Sequence, residues 1–117
     1  MFKELTIGAH NIAFLSNGLT PIHYKNVFGD DLLKQLNASG DFELAGDKVP
    51  QLAFIMAKQG EKADMSKQNI ATYYAWLEGF EPLDMVMHGK EIVDIYMSNS
   101  IPTAEPKKKA AAKAKEK

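Results

Sequence analysis

The stretch NVFGDDLLKQL, residues 26–36, sets two carboxylates side by side behind a glycine. Asp30 and Asp31 could share a metal ion, divide acid and base roles, or open a helix. The first two uses need further oxygen or nitrogen ligands aimed at the same point, and adjacent residues of a helix do not face one another. The third needs only what is present. Gly29 stops one helix, Asp30 accepts hydrogen bonds from the exposed amides of the next, and Asp31 puts negative charge in its first turn, worth about 0.3–1 kcal/mol. The sequence therefore predicts punctuation here rather than chemistry.

Other chemically capable residues are equally unassembled. His10, His23 and His88 have no metal-ligand spacing: no pair lies three or four apart. His10 falls in a turn and His23 in the first turn of a helix. Ser16, Ser39, Ser66, Ser98 and Ser100 have no G-x-S-x-G setting, and the glycines build no phosphate loop. Cysteine is absent, which removes disulfides, thiolate metal sites and thiol nucleophiles, and fits a reducing compartment. The expectation is a protein that is not an enzyme, with no catalytic, cofactor-binding or metal-binding residues.

The elements that would position these residues can be read from periodicity and punctuation. A chain of 117 residues, 45% hydrophobic and 25% charged, suits one soluble domain. FKELTI and IAFLS flank the turn-like GAHN and predict an N-terminal β-hairpin, followed by a turn at Ser16-Asn17-Gly18. Thr20-Pro21 reads as an N-cap with proline at the first helical position, and Tyr24, Val27 and Phe28 share one face of the helix that Gly29 ends. A short helix at 31–36 turns Leu32, Leu33 and Leu36 inward. Residues 37–48, rich in glycine, aspartate and asparagine, read as a loop or a poorly formed extended segment. Pro50 opens a helix to about Gln59 with Leu52, Ile55 and Met56 as its buried stripe and Gly60 as its stop. A helix at about 66–78, capped by Asp64 or Ser66, carries Ile70, Tyr73, Tyr74 and Leu77 at the i, i+3, i+4, i+7 spacing. A last helical stretch begins at Glu81-Pro82, has a weak point at Gly89, and gathers Ile92, Val93, Tyr96 and Met97 on one face. The fold class expected is α+β, mainly α: the hairpin, about five short helices forming one domain over residues 1–101, and a disordered lysine- and alanine-rich tail at 102–117.

Two features remain after the core is assigned. In YYAWLEGF (73–80), Tyr73, Tyr74 and Leu77 suffice for a stripe, so Trp76 and Phe80 define a second, offset face. That face is either a broad core contact or a patch for a partner, since tryptophan and tyrosine are enriched in hot spots. The six methionines are either core filler or adaptable surface. Charge is the other feature. Residues 102–117 hold six lysines against two glutamates, a balance of +4, while residues 1–101 hold eight lysines against thirteen acids, a balance of −5. The tail could bind nucleic acid, attract an acidic protein, or merely solubilise. All fourteen basic residues are lysine, and without arginine's planar fork a sequence-reading DNA contact is disfavoured. No apolar run reaches the roughly 18 residues of a membrane span, and the N-terminus lacks a secretory signal pattern.

Taken in order, these segments resemble the tail assembly chaperones of long-tailed (siphovirus-type) bacteriophages, most of all the Gram-positive phage and prophage cluster. The resemblance is carried by Tyr24 with Phe28-Gly29-Asp30-Asp31-Leu32, by the helix ending Ala57-Lys58-Gln59, and by Trp76-Leu77-Glu78-Gly79-Phe80-Glu81, over roughly residues 1–101. It implies a small, mostly helical protein of the host cytoplasm, absent from the mature virion, that binds the tape-measure protein and recruits tail-tube subunits. It places partner-binding residues at Tyr24, Phe28, Tyr73, Trp76 and Phe80, and tail contacts at Lys107, Lys108 and Lys109, with self-association into a homo-oligomer left open and no membrane or specific nucleic acid among the partners. Members are often also made in a frameshift-extended form. The run Lys107-Lys108-Lys109 needs a purine-rich message on which a ribosome can slip; a gene without a slippery heptanucleotide there would remove that expectation. The alternative is a small phage- or mobile-element-encoded DNA-associated regulator, with residues 21–36 as a helix-turn-helix. An acidic body and a Gly-Asp-Asp turn near phosphates weigh against it.

Overall fold

The computed structural model of the chain describes residues 2–37, 44 and 46–100. Strands β1 (Phe2–Ile7) and β2 (His10–Leu15) pair antiparallel, and helices α1 (Thr20–Phe28), α2 (Leu32–Asn37), α3 (Val49–Gly60), α4 (Ile70–Leu77), α5 (Asp84–Met87) and α6 (Gly89–Ser100) follow. This is the expected hairpin-then-helices order. The described residues hold six α-helices rather than about five, because the stretch after Pro82 is divided at His88, beside Gly89. The tail at 102–117 lies outside the described residues, as do residues 38–43 and 45 of the loop expected over 37–48.

The hairpin turns more tightly than its sequence predicts. Ile7 pairs with His10, so only Gly8 and Ala9 form the loop, and His10 and Asn11 belong to β2. Gly8 has φ +60°, the conformation a two-residue hairpin loop demands at its first position. A Cβ there would also lie 2.5 Å from the Asp84 carboxylate, a side-chain end that would have to shift, so the positive φ is the firmer reason for glycine. Leu5, Ile7, Ile12 and Phe14 alternate onto one face of the ribbon, with Ile7 and Phe14 fully buried. Two strands alone are marginal in water; this face is stabilised by covering α3.

Helix α3 is the axis of the molecule. Its sequence is apolar on every side, and Leu52 through Ala57 are six consecutive buried residues. β2, α1, α4, α5 and α6 all pack on it. Gly60, expected as its stop, is instead its last helical residue, pressed against β2. The stop comes two residues later. Ala63 N donates to Lys58 O and Lys62 N to Gln59 O, the paired bonds of a Schellman motif, and Lys62 takes the left-handed position at φ +60°. A side chain there costs about 1–2 kcal/mol that glycine avoids, offset by glycine's greater entropy when unfolded. Lys62→Gly is therefore expected to raise stability by about 0.5–1 kcal/mol, read as a higher urea midpoint with an unchanged slope.

Around α1 and α2 the punctuation is right in kind and shifted by a residue. Thr20 is the first helical residue, not the cap; Leu19 holds the cap position without a side-chain bond and Pro21 is second in the helix. Gly29 caps α1 at φ +79° as expected. Asp31, not Asp30, caps α2 by accepting from Lys34 N at 3.1 Å, while Asp30 pairs with Lys48 at 2.8 Å. Leu32 and Leu36 are buried, one turn apart, whereas Leu33 points out because it is a hundred degrees away on so short a helix. Farther on, Asp64 caps only a single 3-10 turn at Met65–Lys67. α4 starts later than expected, at Ile70, with a capping box between Asn69 and Thr72. In α6, Ile92, Val93 and Tyr96 are buried and Met97 partly so, as predicted, with Ile95 joining them.

Candidate partner-binding surface

The five aromatic residues singled out in the sequence come together, but mostly inward. Around Phe54 of α3 stand Phe28 at 6.3 Å, Tyr73 at 5.4 Å and Trp76 at 5.5 Å between ring centroids, all edge-on. Tyr24 continues the cluster through Phe28 at 5.2 Å, and Phe80 continues it through Trp76 at 4.8 Å. Such edge-to-face pairs add about 0.5–1.5 kcal/mol each beyond area burial. Tyr24 and Tyr73 are buried, while Phe28, Trp76 and Phe80 are partly buried against the core. The cluster is thus first a packing device joining α1, α3 and α4.

Both buried tyrosines keep their protons unusually well. Burial, then Asp30, Asp47 and Tyr73, raise the Tyr24 phenol, whose hydroxyl donates to Gln51 at 2.8 Å. Burial, then Tyr74 and Asp47, push Tyr73 up to about 12. An unfolded phenol ionises near 10, so the stability these groups contribute is present below that pH and is lost as pH climbs toward the folded values.

A second buried group explains the Ala57-Lys58-Gln59 motif. Gln59 is buried at the end of α3, where its Oε1 accepts from the Thr20 hydroxyl at 2.7 Å and its Nε2 donates to Asn17 Oδ1 at 3.0 Å. The Thr20 hydroxyl also accepts from Asn17 N, and Asn17 Oδ1 accepts from Leu19 N. One amide therefore fixes the turn between hairpin and α1. The local sequence carries no signal for it, because Gln59 follows Lys58 and precedes Gly60-Glu61, where a polar side chain reads as surface. His10 makes a comparable tie: its Nε2 donates to Gly79 O at 2.6 Å and its ring lies 4.5 Å from Phe80.

The stripe expected on α4 holds at Tyr73 and Leu77 and fails at Ile70 and Tyr74, and of the two readings of the Trp76–Phe80 face the core contact is the one observed. Ile70 and Tyr74, predicted as core, are 41% and 61% exposed, while Trp76, predicted as the offset face, packs on Phe54. α4 is apolar all round, and only one side can meet α3. Its outward face reads Ile70, Ala71, Tyr74, Ala75, two turns without a charge. A second exposed apolar group runs from Leu83 at the cap of α5 to Val86 and Met87 within it, at i, i+3, i+4 spacing; of the methionines, Met87 is at the surface while Met56 and Met85 are buried. Lys107, Lys108 and Lys109 lie outside the described residues. Among the described residues no three histidine, aspartate or glutamate side chains converge as metal ligands, and no helix is long and apolar enough to cross a membrane. Compared with protein-family models, curated proteins and solved structures, the chain matches none.

Proposed function

We infer that this chain is a non-enzymatic tail assembly chaperone of the long-tailed bacteriophage type, which binds the tape-measure protein in the host cytoplasm and brings tail-tube subunits to it. The ordered motifs support the reading, and one structural observation carries it: the uncharged outward face of α4. A helix on a protein surface ordinarily turns charged residues to water. Here Ala71 and Ala75 let another helix approach closely, and Ile70 and Tyr74 stand beside them as anchors. Tyrosine suits that task because it brings large apolar area with a polar tip. A client that must be kept soluble until tube subunits arrive needs such a contact, reversible and indifferent to fine sequence detail.

The test separates this face from the core behind it. Tyr74→Ala is expected to weaken binding to the tape-measure protein about tenfold or more, the effect of losing a hot-spot side chain worth about 2 kcal/mol. Its far-ultraviolet circular dichroism and melting temperature should stay close to wild type, since Tyr74 is exposed. Trp76→Ala is the contrasting variant, because it opens the aromatic core and lowers stability. Wild-type affinity in a folded Tyr74→Ala protein would remove α4 as the client surface.

A further inference from the structure

Strand β1 is an open edge of the sheet. A two-residue loop closes on a hydrogen-bonded pair, here Ile7 and His10. Ile7, Leu5 and Lys3 therefore turn their amides and carbonyls toward β2, and Phe2, Glu4 and Thr6 turn theirs away. Gly60 fixes the same phase from the other side: α3 lies against the Ala13 carbonyl and Leu15 N, so these point off the far edge of β2. That edge is closed by α3. The edge of β1 is uncovered among the described residues, where Phe2, Glu4 and Thr6 are exposed and their outward backbone groups find no partner. Natural sheets blunt such an edge with a proline, a bulge or a covering segment. β1 keeps unbroken register over Phe2–Ile7 and has neither proline nor bulge.

Charge selects the register of an occupant. An outward-facing residue of β1 can meet only an outward-facing residue of the added strand, so two-fold pairing near the middle of β1 has its axis at Lys3, Glu4 or Leu5. An axis at Lys3 sets lysine against lysine and one at Glu4 sets glutamate against glutamate, both destabilising. An axis at Leu5 has no such clash. It pairs Leu5 with itself, Glu4 with Thr6 and Lys3 with Ile7, and sets Phe2, 58% exposed, across from Gly8. The edge is thus self-complementary in one register. We propose that β1 pairs antiparallel with β1 of a second copy of this chain about an axis at Leu5, making a four-stranded sheet with Leu5, Ile7 and Phe14 of both copies on one face. Each Glu4–Thr6 pair then exchanges both of its backbone hydrogen bonds. The two β2 strands lie three strand spacings apart, about 14 Å, which leaves room for both α3 helices, since packed helices need about 8–10 Å. The pairing does not rest on the function proposed above.

The chain has no cysteine, so a single introduced thiol reports the register directly. The proposed axis makes Leu5 and its counterpart a non-hydrogen-bonded pair with Cα atoms about 4.5 Å apart, inside the range a disulfide spans. Under mild oxidation Leu5→Cys is expected to give a disulfide-linked dimer as its main product, several-fold more than Lys3→Cys or Glu4→Cys. Amide hydrogen exchange on the unaltered full chain keeps the test independent of any folding defect in these variants. Between about 10 μM and about 1 mM, exchange at Glu4 and Thr6 should slow several-fold, while Asn11, whose N–H points off the far edge of β2, should keep its rate. Equal disulfide yields at residues 3, 4 and 5, or Glu4 and Thr6 amides exchanging at one rate across that range, would overturn the proposal.

Discussion

Gly60→Ala is expected to destabilise the protein by about 3 kcal/mol or more, although it adds one methyl group to the end of a helix. The reason is where that methyl would go. An ideal Cβ on Gly60 falls well inside van der Waals contact of the Ala13 carbonyl oxygen, 2.7 Å from the carbonyl carbon and 3.4 Å from Leu15 N. The obstacle is backbone, so no rotamer change relieves it. Either β2 moves away from α3, uncovering Phe14 and Ile12, or the end of α3 unwinds. Unwinding would break the Schellman bonds at Lys58 and Gln59 and pull Gln59 from Thr20 and Asn17. For a domain of this size the predicted fall in melting temperature is about 12 °C or more, at about 4–8 °C per kcal/mol. Gly18→Ala is the control: nothing lies within 4 Å of its Cβ position and its φ is not in the left-handed region, so little change is expected. A Gly60→Ala protein that melts with wild type would mean the hairpin does not sit on α3 as described.

Phe54→Ala is expected to cost about 3–5 kcal/mol, the range for deleting a buried aromatic ring. Phe54 is fully buried and touches Phe28, Tyr73 and Trp76, with the Lys58 ammonium 5.8 Å from its ring centroid. Three helices meet at this ring, so the cavity cannot close by moving one of them alone. Trp76 is the chain's one tryptophan, which gives the experiment a local reporter. Loss of its neighbour should shift its emission to longer wavelength and flatten the near-ultraviolet dichroism, before any large loss of helix signal. Phe54→Leu, which keeps most of the volume, is expected to lose appreciably less. If Phe54→Ala retains the wild-type tryptophan spectrum and stability, the aromatic cluster is not the joint between α1, α3 and α4.

The motifs that carry the family resemblance turn out to hold the body together. Gly29 and Asp31 end one helix and cap the next, Gln59 ties the hairpin to α1, and Trp76 and Phe80 close the aromatic cluster over Phe54. Tyr24 and Tyr73 lie wholly within it. Outward apolar side chains among the described residues include Ile70 and Tyr74 on α4 and Leu83, Val86 and Met87 at and in α5, besides Phe2, Leu19, Ile22 and Leu33 elsewhere.

What the sequence determined by itself was the kind and order of the elements. Alternation made the hairpin legible, glycine and proline marked the helix limits to within a residue or two, and Leu52, Ile55 and Met56 marked a helix with a buried stripe, though not that it would be the central one. Tertiary structure alone decided which side of α4 is buried. Periodicity locates an apolar face only where a polar face stands opposite, and IATYYAWL has no charge on any side. Docking on Phe54 chose Tyr73 and Trp76 and left Tyr74 in water. The same holds for Gly60, whose local sequence reads as a stop. Its role comes from a carbonyl group 47 residues earlier in the chain, a contact that exists only once β2 lies across α3.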